Sequence, residues 1–354
     1  MYSLDFARYF PHSSLQGLTK QDPEDFVVVE QLGFEPSGEG EHLFLEVEKQ
    51  GLTTEYVQSR LAKAFALPGR DVSYAGMKDK QAITRQWFSV RTPVTELPDI
   101  DMPAGQYRIV QTARNWRKLR RGSHQGNHFR IVVRNLVGET ALLQERVDKI
   151  SSTGLPNYFG EQRFGWQGKN IDSAIQLFSR QKDHASSNTG KHRSANQRYK
   201  QGIYLSAIRA WLFNSYLSQR LTNNTWNSCL DGDVMALEGA RSTFKAQTCD
   251  AEIARRLQQL DIHPTGPLWG VGDPAVTAAA AELEKKLGED FPQLCMILER
   301  AGLQQDRRAL RMKVEELQVE NLPGNRVAIS FYLGRGCYAT SVVRELLAEQ
   351  QEIN

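Results

Sequence analysis

Cysteine is scarce in this 354-residue chain: Cys229, Cys249, Cys295 and Cys337 stand far apart, with no CxxC pair. That spacing excludes a zinc ribbon or a disulfide-stapled scaffold and points to reduced thiols in a cytosolic protein. No GxGxxG, Walker or GxSxG sequence occurs, which removes the usual nucleotide cradles and the serine-hydrolase elbow, so no cofactor is expected. No apolar run approaches the roughly 20 residues of a membrane helix. The opening Met1-Tyr2-Ser3-Leu4-Asp5-Phe6 also lacks a basic leader, and a soluble, cytoplasmic protein with no membrane partner is expected. Charge of one sign is lacking as well: 44 basic residues stand against 41 acidic ones, for a net +3. Global charge therefore announces no polyanion, and its local distribution has to be read instead. There is no internal repeat.

What is present is length for roughly two domains and a sizeable core. Asp25 to Gly33 and His42 to Glu48 are β-rich and separated by Pro36-Ser37-Gly38-Glu39-Gly40, which suggests a hairpin or strand pair. Thr53-Thr54 offers N-caps to an amphipathic helix carrying Tyr56, Val57, Leu61, Ala64 and Phe65 on one face. Strands follow around Tyr74, Trp87, Ile109 and Ile131-Val132-Val133, then a helix from about Glu139 to Ser152. From roughly Asn170 to Ala301 the periodicity is helical, clearest at Ile203 to Leu221, and the strand signal thins to Val234-Met235-Ala236-Leu237. Strands return at Met312 to Val319 and Val327 to Leu333, before a helix from about Thr340 to Glu349. A β-rich, α-rich, β-rich order predicts an α+β fold in which a discontinuous domain (1–154 and 305–354) carries a mostly helical insertion (155–304).

The sharpest chemical signal is Gly76-Met77-Lys78-Asp79-Lys80. It sets one carboxylate in the loop between two short strands, and the flanking lysines are expected to keep Asp79 ionised, as a nucleophile or base requires. Between Arg108 and Arg134 no Asp or Glu interrupts Arg108, Arg114, Arg117, Lys118, Arg120, Arg121, Arg130 and Arg134, and Trp116, His124, His128 and Phe129 are interleaved. Charge for phosphates beside rings for bases is the pattern of a nucleic-acid footprint. A second basic stretch, Arg180 to Lys200, includes Arg193 and Arg198 and has Asp183 as its one acid. His124 and His128 have the i, i+4 spacing of a helical metal pair, but their Gly-rich surroundings make a poor helix with no third ligand, so no metal is expected. Cys337, in Gly334-Arg335-Gly336-Cys337, is expected to pack rather than react.

These motifs, in this order, resemble the TruD family of tRNA pseudouridine synthases. The N-terminal signature is matched by Lys20-Gln21-Asp22-Pro23-Glu24-Asp25-Phe26 and the residues after it, and the catalytic one by Gly76 to Lys80. Gly126-Asn127-His128-Phe129, Asn157-Tyr158-Phe159-Gly160-Glu161-Gln162-Arg163-Phe164-Gly165, and Tyr338 to Leu346 match three more. One departure is Leu333-Gly334-Arg335-Gly336, where the family commonly has Leu-Pro-x-Gly.

The resemblance implies a pseudouridine-synthase mixed, largely antiparallel sheet with flanking helices, split by an insertion domain, and a cleft admitting tRNA. It implies isomerisation of uridine to pseudouridine at position 13 of the D arm, without metal or cofactor and with tRNA as partner; a monomer is expected. Asp79 becomes the catalytic carboxylate, and Phe129 the ring that stacks on the flipped uracil. Phe26 and Phe331 become pocket residues, Asn127 a hydrogen-bonding group and Lys20 the basic neighbour of the carboxylate. Arg117, Lys118, Arg120, Arg121, Arg163, Arg193 and Arg198 are the expected RNA contacts. The competing expectation is an RNA-binding protein that turns nothing over.

Overall fold

A computed structural model describes residues 2–10, 15–94, 96–183 and 195–348. They divide into two compact units. The sheet unit comprises Ser13–Ser151, Val314–Gly336 and Leu346–Asn354; the helical unit comprises Met1–His12, Ser152–Lys313 and Cys337–Glu345. Two terminal segments assigned by sequence to the split domain therefore pack within the helical unit. Chain position alone did not show this, because those segments are tied in by side chains. Tyr158, for instance, donates its hydroxyl to the Ala7 carbonyl at 3.0 Å.

The sheet unit begins with β1 (Gln16–Leu18), β2 (Phe26–Leu32) and β3 (His42–Lys49). Next comes α1 (Thr54–Ala64), where the Thr53 side chain accepts from the Tyr56 N–H and Val57, Leu61 and Ala62 are buried. β4 (Val72–Tyr74), β5 (Ile83–Arg91), β6 (Tyr107–Asn115), β7 (His124–Val137) and α2 (Thr140–Thr153) follow. The expected pairing of the first two β-rich segments is wrong. β5 lies between β2 and β3, parallel to the first and antiparallel to the second. Sequence neighbours are the default partners of antiparallel strands, but β3 finds its partners in β5 and β6 and is buried along nearly its whole length.

In the helical unit, β8 (Leu155–Pro156) leads to α3 (Lys169–Asp183) and α4 (Ala195–Thr222). The helical periodicity read at Ile203 to Leu221 gives α4 an apolar stripe, Leu205, Ile208, Leu212, Phe213, Tyr216 and Leu217, all of it buried. Then come β9 (Val234–Leu237), β10 (Thr243–Lys245), α5 (Ala251–Gln258), β11 (Ile262–Leu268), α6 (Ala278–Asp290), α7 (Pro292–Arg300), β12 (Asp306–Ala309) and β13 (Arg311–Met312). The single strand foreseen near Val234 belongs to a four-stranded sheet in the order β10-β9-β11-β12. β11 was hidden by Pro264 and Pro267, which lack the N–H that a ladder uses and so read as loop. The same hairpin corrects the cysteine reading: β9 and β10 pair with Lys245 opposite Val234, and just beyond their ends Cys229 and Cys249 are joined in a disulfide. Spacing along the chain could not show an encounter made by a hairpin.

The chain returns to the sheet unit with β14 (Glu315–Leu322) and β15 (Arg326–Gly334), and α8 (Ala339–Leu346) closes the described fold. The large sheet runs β14-β15-β7-β2-β5-β3-β6, with β1 added on β7 and β4 on β5. All its pairings are antiparallel except β2 with β5. Among the described residues no helix is long and apolar enough to cross a membrane.

Candidate active site

β4 pairs antiparallel with β5, Val72 opposite Val90 and Tyr74 opposite Phe88, so the chain from Ala75 to Ala82 must double back as a loop. Asp79 is in that loop. The loop is pinned at successive residues: the Gly122 N–H donates to the Ala75 carbonyl at 2.7 Å and the Gly51 N–H to the Lys80 carbonyl at 3.1 Å. Gln86 Nε2 donates to the Gly76 carbonyl at 3.0 Å, and Thr54 Oγ1 accepts from the Lys78 N–H at 3.0 Å. Such anchoring fixes a functional group that would otherwise move with a free turn.

The Asp79 carboxylate accepts from Lys20 Nζ through Oδ2 at 3.1 Å and from the Gln81 N–H through Oδ1 at 3.1 Å. Partial burial works to raise its pKa, but the Gln81 N–H and the Lys20 charge outweigh burial and hold it below the ordinary carboxylate value. The group stays ionised and its side chain stays 31% exposed, within reach of a substrate. Lys20, at φ +56°, also lies with its ammonium 4.5 Å from the centre of the Phe26 ring.

The expected roles of Lys78 and Lys80 need correction. The Lys78 ammonium turns away to Glu30 at 2.8 Å, both side chains being nearly dry, and it also donates to Asn127 Oδ1. Lys80 is exposed, and what it gives Asp79 is its main-chain N–H. Side-chain direction within a loop has no period, so adjacency in sequence did not predict which lysine meets the carboxylate.

Register explains the rest of the site. Phe331 on β15 is directly opposite Phe129 on β7, and Val28 on β2 is opposite Phe129 from the other side. Alternation then puts Phe26, Val28 and Glu30 on the same face as Asn127, Phe129 and Phe331. Phe129 stacks on Phe331 with centroids 5.3 Å apart and meets Phe26 edge-on at 6.3 Å. Phe26 and Phe331 are buried while Phe129 is half-exposed, so the outer two rings brace the middle one. A cavity of about 300 Å³ is bordered by Val27, Val29, His128, Arg130 and Ser330, whose side chains alternation assigns to the opposite face, and also by Phe129 and Phe331 of the aromatic cluster.

The basic loop joins β6 to β7. Leu119 is buried with Phe44 and Trp87 and donates its N–H to Ser89 Oγ at 3.0 Å, leaving Trp116, Arg117, Lys118 and Arg120 exposed around it. Arg121 is engaged instead by Tyr74, at 2.6 Å from the hydroxyl and 4.0 Å above the ring. Of the other expected RNA contacts, Arg198 is exposed on α4 and Arg193 lies outside the described residues. Arg163 is turned inward, donating to Ser206 Oγ at 3.0 Å and the Tyr338 hydroxyl at 2.8 Å.

Sequence reasoning missed Glu30 and Lys49, and placed His124 only among the rings of the basic stretch and in a rejected metal pair. The Phe26-Val28-Glu30 alternation could have revealed Glu30. Lys49, only 1% exposed, gave no signal, because a lysine ending a strand reads as a solvated one. The His124 ring sits beside Gly76, and burial, aided by the Lys78 charge, lowers its pKa and favours the neutral imidazole.

Fold and site together define a class: an α+β protein that presents one ionised carboxylate beside an aromatic face and a basic loop, a combination suited to chemistry on an RNA base. Known proteins carry the assignment further. The family model described as tRNA pseudouridine synthase D (TruD) matches residues 7–175 and 176–346. This chain belongs to that family. It is 39% identical over 344 residues to a tRNA pseudouridine synthase D of Methylococcus capsulatus, covering 97% of this chain and 94% of the relative. It is 42% identical over 333 residues to one of Pseudomonas aeruginosa, covering 94% and 90%. A solved structure from Methanosarcina mazei, whose description carries the TruD family name, shares the fold at a TM-score of 0.71 and 20% identity, over 97% of this chain and 96% of the other.

Proposed function

We propose that this chain isomerises uridine to pseudouridine in tRNA, at position 13 of the D arm, with Asp79 as the reactive carboxylate. The observation that carries the reading is the half-exposed Asp79 side chain, kept ionised by Lys20 and the Gln81 N–H. The reaction breaks the N1–C1′ bond, turns the uracil and joins C5 to C1′; C5 gives up its proton and N1 gains one. An ionised carboxylate beside the sugar suits attack or proton abstraction, and an acid would not. The target base must first leave its stack. Phe129, braced by Phe26 and Phe331, offers the flipped uracil a face. Asn127 accepts from Lys78 through Oδ1, and an ammonium can only donate, so the amide Nδ2 is left to donate to a uracil carbonyl. In this reading the sheet unit is the catalytic domain and the helical unit a family-specific insertion.

The test uses unmodified tRNA labelled with tritium at uridine C5. Stoichiometric release of one tritium per tRNA, lost when position 13 is changed to cytidine, is the expected result. Tight binding with no release would favour an RNA-binding protein that turns nothing over.

The exposed basic loop is expected to hold phosphate. Replacing Arg117, Lys118 and Arg120 together by Gln should lower the slope of log affinity against log salt by about 2, since each lost phosphate contact removes roughly 0.7–0.9 of a unit. Turnover at saturating tRNA should change far less. An unaltered slope would reduce the loop to a solvated surface.

A further inference from the structure

Lys49 is the last residue of β3, paired across the sheet with Thr84 on β5 and Tyr107 on β6, and its side chain is almost completely buried. Its Nζ donates to the Leu52 carbonyl at 2.7 Å and to the Asp79 carbonyl at 3.3 Å. Among the described residues no carboxylate closes an ion pair with it. Burying an ammonium on carbonyl oxygens alone is costly, and an apolar side chain of similar volume would pack there without that cost. A lysine here is poorly explained by stability. Its position explains it better, because the charge lies directly beneath the main chain of the reactive residue. The Gly51 N–H to Lys80 carbonyl bond ties the same turn to the same loop.

We propose that Lys49 is a positioning residue for Asp79, one whose buried ammonium fixes the loop through the Asp79 carbonyl and adds a second positive charge, besides Lys20, to hold the carboxylate in place. This rests on the reading of Asp79 as the reactive group. The charged groups acting on Lys49 are Asp79 and Lys78 from the loop and Glu55 from α1. The directly paired Tyr107 donates its hydroxyl to the Ile100 carbonyl at 2.9 Å. Burial, with Lys78 assisting and Asp79 and Glu55 opposing, brings the Lys49 pKa down to about 8. The device is therefore charged at neutral pH and discharges in mild alkali.

Lys49→Met tests this against a purely structural role. The variant should fold with a denaturant midpoint at or above that of the parent, keep its KM for tRNA, and lose kcat by roughly 10- to 100-fold, the scale expected when a reacting group is slightly misplaced. The parent's kcat should fall as pH rises through about 8, and the variant's residual rate should lack that limb. Stability runs the other way. The folded-state pKa lies below the unfolded value of 10.5, so between about 8 and 10.5 the unfolded chain binds more protons and the parent gains stability as pH rises; its difference from Lys49→Met should narrow over that window. Asp79→Asn is assayed alongside. If Asp79→Asn is inert while folded Lys49→Met turns over at the parental kcat, or if the parent's kcat is flat through pH 8, the role of Lys49 is overturned and that of Asp79 stands. If Asp79→Asn remains active, the reading of Asp79 fails first. Should Lys49→Met not fold, the parent's pH profile alone still decides.

Discussion

Asp79→Asn should abolish turnover almost completely, with a loss of at least about 10⁴-fold in single-turnover tritium release, because the amide keeps the shape of the side chain but supplies neither a charged nucleophile nor a base. The fold and tRNA affinity should survive. The loop is held by main-chain bonds at Ala75, Gly76, Lys78 and Lys80, none of which uses the carboxylate. Stability at neutral pH should drop slightly, since the lowered pKa of Asp79 means that its charge favours the folded state above the unfolded pKa. That contribution is lost as pH falls through the folded value, so parent and variant should converge in acid. The same lowered pKa predicts that the parental rate shows no limb from Asp79 protonation near neutrality. A variant that releases tritium at more than about a tenth of the parental rate would remove Asp79 from its role.

The largest effect on stability is expected from Lys78→Met. Glu30 has no exposed side-chain surface and Lys78 has 6%, and their charged atoms lie 2.8 Å apart. Glu30 also accepts from the Trp87 N–H at 3.1 Å, which fixes it in place. Removing the ammonium strands a buried carboxylate, and breaking such a pair costs about 3–5 kcal/mol, whereas replacing both partners with apolar groups is often close to neutral. Lys78→Met combined with Glu30→Leu should therefore recover much of what Lys78→Met loses, and a double-mutant cycle on denaturant midpoints measures the coupling. Activity should not recover with it, because Asn127 has lost the donor that orients its amide. A midpoint for the single variant within about 1 kcal/mol of the parent would show that the pair is solvated in solution.

Several elements of the fold were legible because they depend on local chemistry. The Thr53 cap, the apolar stripe of α4 and the alternation in β2, β7 and β15 follow from helix and strand periods that the chain carries in its own order. The pairing of β2 with β5, the β9–β10–β11 sheet and the Cys229–Cys249 disulfide were not legible, since each joins segments by a contact that the intervening chain does not encode.

The sequence by itself determined that one carboxylate, Asp79, sits in a loop between strands, and that a run of basic residues free of acid extends from Arg108 to Arg134. Only the tertiary structure decided which cations serve the carboxylate. Lys20, far away in the chain, meets it directly; Lys49 reaches its main chain from inside the fold; and Lys78, its near neighbour, is taken by Glu30 and Asn127. Electrostatic partnership falls off with distance through space, and the strand order that brings residues 20, 30, 49, 79 and 127 together is a property of the folded sheet.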